Sequence, residues 1–177
     1  MLPLIVLVVI ALVVIAVGVA MYNGLIRSKN QVENAWSQID VQLKRRLDLI
    51  PHLVETVKGY ADHEQETFQQ VIAARNAAME APDTPAGQAG PNDLLTGALG
   101  KLFALSEAYP DLKANQNFLA LQEELTATEG RVAYARQFYN DSVLDYNNKI
   151  ESVPTVFLAK RLGYQQREYF EADDAAR

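Results

Sequence analysis

VENAWSQIDVQLKRRLDLIPHLVETV, residues 32–57, places apolar side chains at Val32, Trp36, Ile39, Leu43, Leu47, Ile50, Val54 and Val57. Steps of three and four return all of them to one helical face, whereas a half-buried strand would alternate with period two. The stripe continues to Ala61, Phe68 and Ile72, so the spacing predicts helix from Tyr22 to Met79, laid along a bundle. Pro51 lacks the N–H that would meet the Leu47 carbonyl, and its ring crowds that turn. Because the stripe keeps phase across Leu47, Ile50 and Val54, we expect a kink there rather than a restart.

Upstream lies LPLIVLVVIALVVIAVGVAM, residues 2–21, with no charged side chain. At about 1.5 Å rise per residue such a run covers the roughly 30 Å hydrocarbon core of a bilayer. A cleaved signal peptide is the rival reading, and it would need a basic leader and a shorter apolar core. No Lys or Arg precedes this run, and beyond the faint cleavage-like match at Ala16-Val17-Gly18 it stays apolar, so residues 1–21 are expected to be a retained transmembrane anchor. Tyr22 fits the interfacial aromatic belt, and Arg27 and Lys29 follow it as the nearby basic residues. By the positive-inside rule they direct the C-terminal domain to the cytoplasm.

Downstream, APDTPAGQAGP (81–91) holds three prolines and two glycines without an apolar pattern, and is expected to be a loop. Asn92 or Asp93 would cap the next helix, which buries Leu95, Leu99, Leu102, Phe103 and Leu105 and breaks at Tyr109-Pro110. A long helix from about Ala114 to Ser152 follows, with Gly130 marking a close helix approach. A short helix from Thr155 then stops at Gly163, and 171–177 is expected to be a frayed acidic tail. The fold class is therefore all-α, an N-terminal transmembrane helix followed by an elongated antiparallel up-and-down bundle over 22–170.

The 177 residues carry a net charge of −6, which disfavours nucleic acid as a partner. Without cysteine there is no disulfide, thiolate metal site, cysteine nucleophile or lipoprotein acylation site. His52 and His63, the only histidines, each precede a glutamate by three residues. On one helix the two pairs would stand about 16 Å apart, too far to share an ion, and we read them as solvated. Lys44-Arg45-Arg46 is read as a solvated face or partner contact, since it would stand about 35 Å beyond the anchor on a straight helix. Tyr139-Asn140 and Tyr146-Asn147 repeat one heptad apart. They are either core tyrosines or, with Trp36, an aromatic and amide seam between helices or subunits. No nucleophile with a base and no convergent acid pair can be assembled, so no catalytic, cofactor-binding or metal-binding residue is nominated.

Specific words then accumulate: Arg27-Ser-Lys-Asn-Gln-Val, Ala35-Trp-Ser-Gln-Ile-Asp-Val-Gln-Leu-Lys-Arg-Arg, Asp48-Leu-Ile-Pro-His-Leu-Val-Glu-Thr-Val-Lys-Gly-Tyr, Glu107-Ala-Tyr-Pro-Asp-Leu-Lys-Ala-Asn, Leu121-Gln-Glu-Glu-Leu and Ala135-Arg-Gln-Phe-Tyr-Asn. Together they resemble the LemA family of bacterial membrane proteins. The resemblance implies one N-terminal transmembrane helix, a cytoplasmic helical bundle and no established activity, with one similar branch tied to magnetosome membrane formation. The expectation is a non-enzymatic scaffold of the bacterial inner membrane, without cofactor, that forms homo-oligomers or organises the bilayer. An adaptor that presents its bundle to a membrane protease or signalling protein is the alternative.

Overall fold

The computed structural model describes residues 2–170, and the acidic stretch 171–177 lies outside them. Among the described residues the chain is all-α, with helices α1 (Leu2–Lys58), α2 (Gln65–Glu80), α3 (Pro85–Ser106), α4 (Pro110–Lys113), α5 (Gln116–Glu151) and α6 (Thr155–Arg161). By its internal contacts it divides into two compact units. The first joins the start of α1, up to Trp36, to Phe138–Arg167, and the second comprises Ser37–Gln137 with the residues from Glu168.

In the first unit the apolar run forms the opening turns of α1, exposed along its length from Leu2 (76 %) to Val19 (54 %). Below it the stripe turns inward, and Leu25, Val32 and Ala35 are buried with Val143, Ile150 and Ala159. Lys149 Nζ donates to the Gly24 carbonyl at 3.3 Å, and the Trp36 and Tyr139 rings meet edge to face at 5.6 Å. As α1 numbers rise the paired α5 numbers fall, so the two segments run antiparallel. After α6, Gly163 takes φ +73°, a conformation that costs a side-chain-bearing residue about 1–2 kcal/mol. It closes the helix with bonds from Gly163 N to Lys160 O and from Tyr164 N to Ala159 O.

The second unit is a four-helix, up-down-up-down bundle of α1 from Ser37, α2, α3 and α5 up to Gln137. Its core gathers Ile50, Leu53, Val57, Phe68, Val71, Leu95, Leu102, Leu112, Phe118 and Leu125. The expected single helix from Tyr22 to Met79 is two helices. Gly59–Glu64 forms a turn held by Tyr60 N and Ala61 N bonding to Val57 O and by Glu64 N bonding to Ala61 O. Ala61 is buried inside the turn, which is why the stripe kept its phase while the chain reversed. Pro51 lies within α1, which continues through it.

The expected loop 81–91 is also corrected: only Ala81–Thr84 is outside helix. Thr84 Oγ1 accepts from Gly87 N at 3.1 Å, Pro85 occupies the first turn where a missing N–H costs nothing, and the helix runs on through Pro91. A Cβ on Gly87 would fall 2.8 Å from the Pro82 carbonyl oxygen, so glycine serves close approach here rather than disorder. Asn92, expected as a cap, is buried within α3 and donates to the Gln88 carbonyl at 2.8 Å. Asn115 caps α5 through Phe118 N at 3.0 Å, and its amide also donates to Tyr60 Oη at 2.8 Å, tying the cap to the α1–α2 turn.

Candidate functional site

Four arrangements could carry function, and the first is the end of the first unit beside the apolar run. Tyr22 is exposed, Arg27 Nε donates to the Asn23 carbonyl at 3.3 Å, and Lys29 faces Glu33 at 3.7 Å. None of these pairings is buried, so both cations remain open to water or headgroups. Among the described residues only α1 is long and apolar enough to cross a membrane, which is what a single-pass anchor requires.

Trp36, Tyr139 and Tyr146 form the second arrangement. Trp36 is half-buried against Tyr139, an edge-to-face pair that adds about 0.5–1.5 kcal/mol to the area it covers. Tyr139 is 4 % and Tyr146 2 % exposed, so both are spent inside the chain. The Tyr146 hydroxyl donates to the Gln165 carbonyl at 3.0 Å, and burial pushes its pKa above the ordinary value, against the pull of Arg167. Asn147 clamps Arg167 twice, its amide donating to the carbonyl at 3.0 Å and its Oδ1 accepting from the backbone N–H at 2.9 Å. The Tyr-Asn heptad thus sits between helices and staples the chain that follows α6.

The third lies in the second unit, where sequence reasoning missed a part-buried polar cluster built on one buried arginine. Arg46, expected to be solvated, is 2 % exposed. Its Nη2 donates to Thr96 Oγ1 at 2.8 Å and pairs with Glu129 Oε2 at 2.8 Å. Burial lowers its pKa from the ordinary value, while Glu129 acts in the opposite direction. Arg136 faces Asp93 at 3.4 Å and lies over the Phe170 ring at 4.4 Å. One signal could have exposed Arg46: it is three residues past Leu43 and four before Ile50, in phase with the core. By contrast Lys44 stays outside, and the hydrogen bond to Asp40 at 2.6 Å raises its pKa.

On the outside of the same unit an apolar groove of about 970 Å³ runs between α2 and α3, lined by Ala73, Ala77, Gly90, Leu94, Gly97 and Lys101. Small residues keep it open, and Leu94 is 66 % exposed. Such a surface can receive an apolar helix face. Gly130, expected at a close helix approach, instead lines a smaller groove of about 510 Å³ with Gln42 and Tyr134, and a Cβ there would meet nothing within 4 Å. His52 is exposed on α1, whereas His63 is exposed in the turn after it. Among the described residues no three His, Asp or Glu side chains converge as metal ligands.

Residues 35–177 match the LemA family model, which leaves the apolar run and the Arg27–Val32 words outside the match. A LemA protein of Metamycoplasma hominis is 28 % identical over 158 residues, covering 88 % of this chain and 71 % of that protein. Magnetosome protein MamQ 2 of Paramagnetospirillum magneticum is 27 % identical over 179 residues, and MamQ of Magnetospirillum gryphiswaldense 26 % over 174. Those alignments take in 87 % and 84 % of this chain but 66 % and 64 % of the relatives, so the chain spans about two thirds of their length. With its family match running through α2 to α6 and most of α5's partner segment in α1, this chain belongs to the LemA family.

Proposed function

We propose that the chain is a non-enzymatic, single-pass scaffold of the bacterial inner membrane, with its bundle in the cytoplasm, that associates with further copies of itself through the α2–α3 groove. The observation that carries this reading is the continuity of α1 from Leu2 to Lys58, exposed and apolar at its start and core-forming afterwards. An anchor of this kind confines copies to two dimensions and raises their effective concentration, so a modest lateral contact suffices. Relatives named as magnetosome proteins support a role at a membrane.

The test is crosslinking in cells followed by mass measurement of the full chain in nanodiscs. Crosslinks between copies through Leu94 and an ordered oligomer that Ala77→Glu dissolves are expected. A strict monomer with no crosslinked copy overturns the scaffold reading. The groove also favours a second reading, in which a helix of another membrane protein fills it and the chain acts as an adaptor. Crosslinks from Leu94 to one different protein, in place of a second copy, select that reading. A protease-accessible tag at the C-terminus of spheroplasts would overturn the cytoplasmic orientation.

A further inference from the structure

The membrane reading of the first unit leaves one surface unexplained. Lys149 reaches the Gly24 carbonyl, so antiparallel register brings Glu151, the last residue of α5, level with Tyr22 at the end of the apolar run. The chain then turns through Ser152–Pro154, forms α6 and comes back along α5, where Tyr146 and Asn147 hold Gln165 and Arg167. The segment from Glu151 to Gly163 therefore starts at the anchor-proximal end of the unit and returns to the level of Lys29 and Tyr146. One side of this segment buries Ala159, while Val153 (76 %), Phe157 (71 %) and Leu162 (45 %) are exposed. Three exposed apolar side chains within ten residues, one of them a phenylalanine, are the kind of surface that a membrane or partner contact uses.

Charge favours one occupant over another. Residues 22–30 and 148–163 carry Arg27, Lys29, Lys149, Lys160 and Arg161 against the single acid Glu151, in a chain whose net charge is −6. A basic collar around an apolar patch matches anionic headgroups above acyl chains. A second copy offering the same face would meet it with like charge, which disfavours that occupant.

We propose that the Val153–Leu162 segment is a membrane foot: Phe157 and its apolar neighbours enter the interface of the bilayer that holds the anchor, and Lys160 and Arg161 take anionic headgroups. This rests on the anchor reading above. Its consequence is a second point of attachment, which limits how far the first unit can tilt about its transmembrane helix.

The absence of cysteine makes the test clean, because single cysteines can be placed and labelled with an environment-sensitive fluorophore in the full chain. Val9→Cys reports the anchor, Val153→Cys the foot and Asp141→Cys the exposed flank of α5. In nanodiscs of mixed neutral and anionic lipid, a lipid-borne nitroxide should quench the labels at 9 and 153 but leave the label at 141 bright. Adding Phe157→Asp should abolish quenching at 153, and adding Lys160→Gln with Arg161→Gln should cut the bound-to-lifted ratio by about fivefold for each charge removed. Quenching at 9 with none at 153 overturns the foot and leaves the anchor standing. A label at 153 shielded from aqueous iodide but untouched by the nitroxide shows a protein covering and also overturns it. Failure to quench at 9 removes the anchor reading, and the foot with it.

Discussion

Arg75 Nε donates to the Leu47 carbonyl at 3.0 Å, bridging from α2 to α1. That carbonyl is the one Pro51 deprives of its intrahelical donor, since the N–H four residues on is missing. A kink-prone position is thereby turned into an interhelical hydrogen bond. Arg75→Met should cost about 1–2 kcal/mol, between the values for a neutral and a fully desolvated charge-assisted bond because the pair is only part-buried. In the Pro51→Ala background the restored N–H satisfies Leu47, and the same change should cost less than about 0.5 kcal/mol. Denaturant unfolding of the four proteins of this cycle, monitored by helical circular dichroism, checks the coupling; equal costs in both backgrounds would show that Arg75 acts elsewhere.

The Arg46–Glu129 pair should show the asymmetry of partly buried ion pairs. Removing Glu129 leaves a buried guanidinium with Thr96 as its remaining side-chain partner, a loss of about 3 kcal/mol or more were both groups dry. Glu129 is 44 % exposed, so water and salt screen part of the interaction and about 1–2 kcal/mol is the expected cost of Glu129→Gln. Arg46→Met keeps most of the buried volume and also removes Nη1, which has no hydrogen-bond partner among the described residues. It should therefore be tolerated better than Arg46→Ala, which opens a cavity. Thermal unfolding of the three variants would order them, and a methionine variant weaker than the alanine variant contradicts the argument.

The helix start at Thr84 separates what was legible in the sequence from what was not. Apolar period marked the helical class and the long α5, and proline and glycine marked the breaks at Tyr109-Pro110 and Gly163, because each signal depends on residues close in sequence. The α1–α2 turn escaped because Ala61 is buried within it, and the α3 start because a proline- and glycine-rich segment can be an ordered cap. Arg46, Arg75 and Asp93 escaped because their partners lie 28 to 83 positions away in sequence, and single-sequence spacing carries no such information. Thr84→Ala should cost about 1 kcal/mol through the lost bond to Gly87 N. Gly87→Ala should cost more, because its Cβ must displace Pro82 backbone. Amide exchange over 85–91 gives the readout: unprotected amides in the parent protein would return this segment to a loop.

Gly130 offers a stabilising change. It lies inside α5, and a methyl group there meets no atom within 4 Å. Gly130→Ala should raise stability by up to about 1 kcal/mol, the helix-interior difference between the two residues. A loss of stability in the denaturant midpoint would instead mean that another molecule approaches this groove closely in the protein as purified.

Alkaline pH should loosen the first unit through Tyr146. Burial raises its folded-state pKa, Arg167 opposes this, and its neutral hydroxyl donates to the Gln165 carbonyl. A tyrosine in the unfolded chain titrates near about 10. The unfolded state therefore releases this proton first as pH rises. The stabilisation is fully present below about pH 10 and is lost as pH climbs from there through the raised folded-state value. Tyr109 adds to the same window, since its hydrogen bond to Glu64 at 3.1 Å also raises its pKa. Tyr146→Phe should lower stability at neutral pH by about 1 kcal/mol through the lost hydrogen bond, and flatten the decline above pH 10. Unfolding midpoints taken from neutral to strongly alkaline pH, for the parent and Tyr146→Phe, test both halves: parallel curves would mean that Tyr146 does not contribute to the alkaline transition.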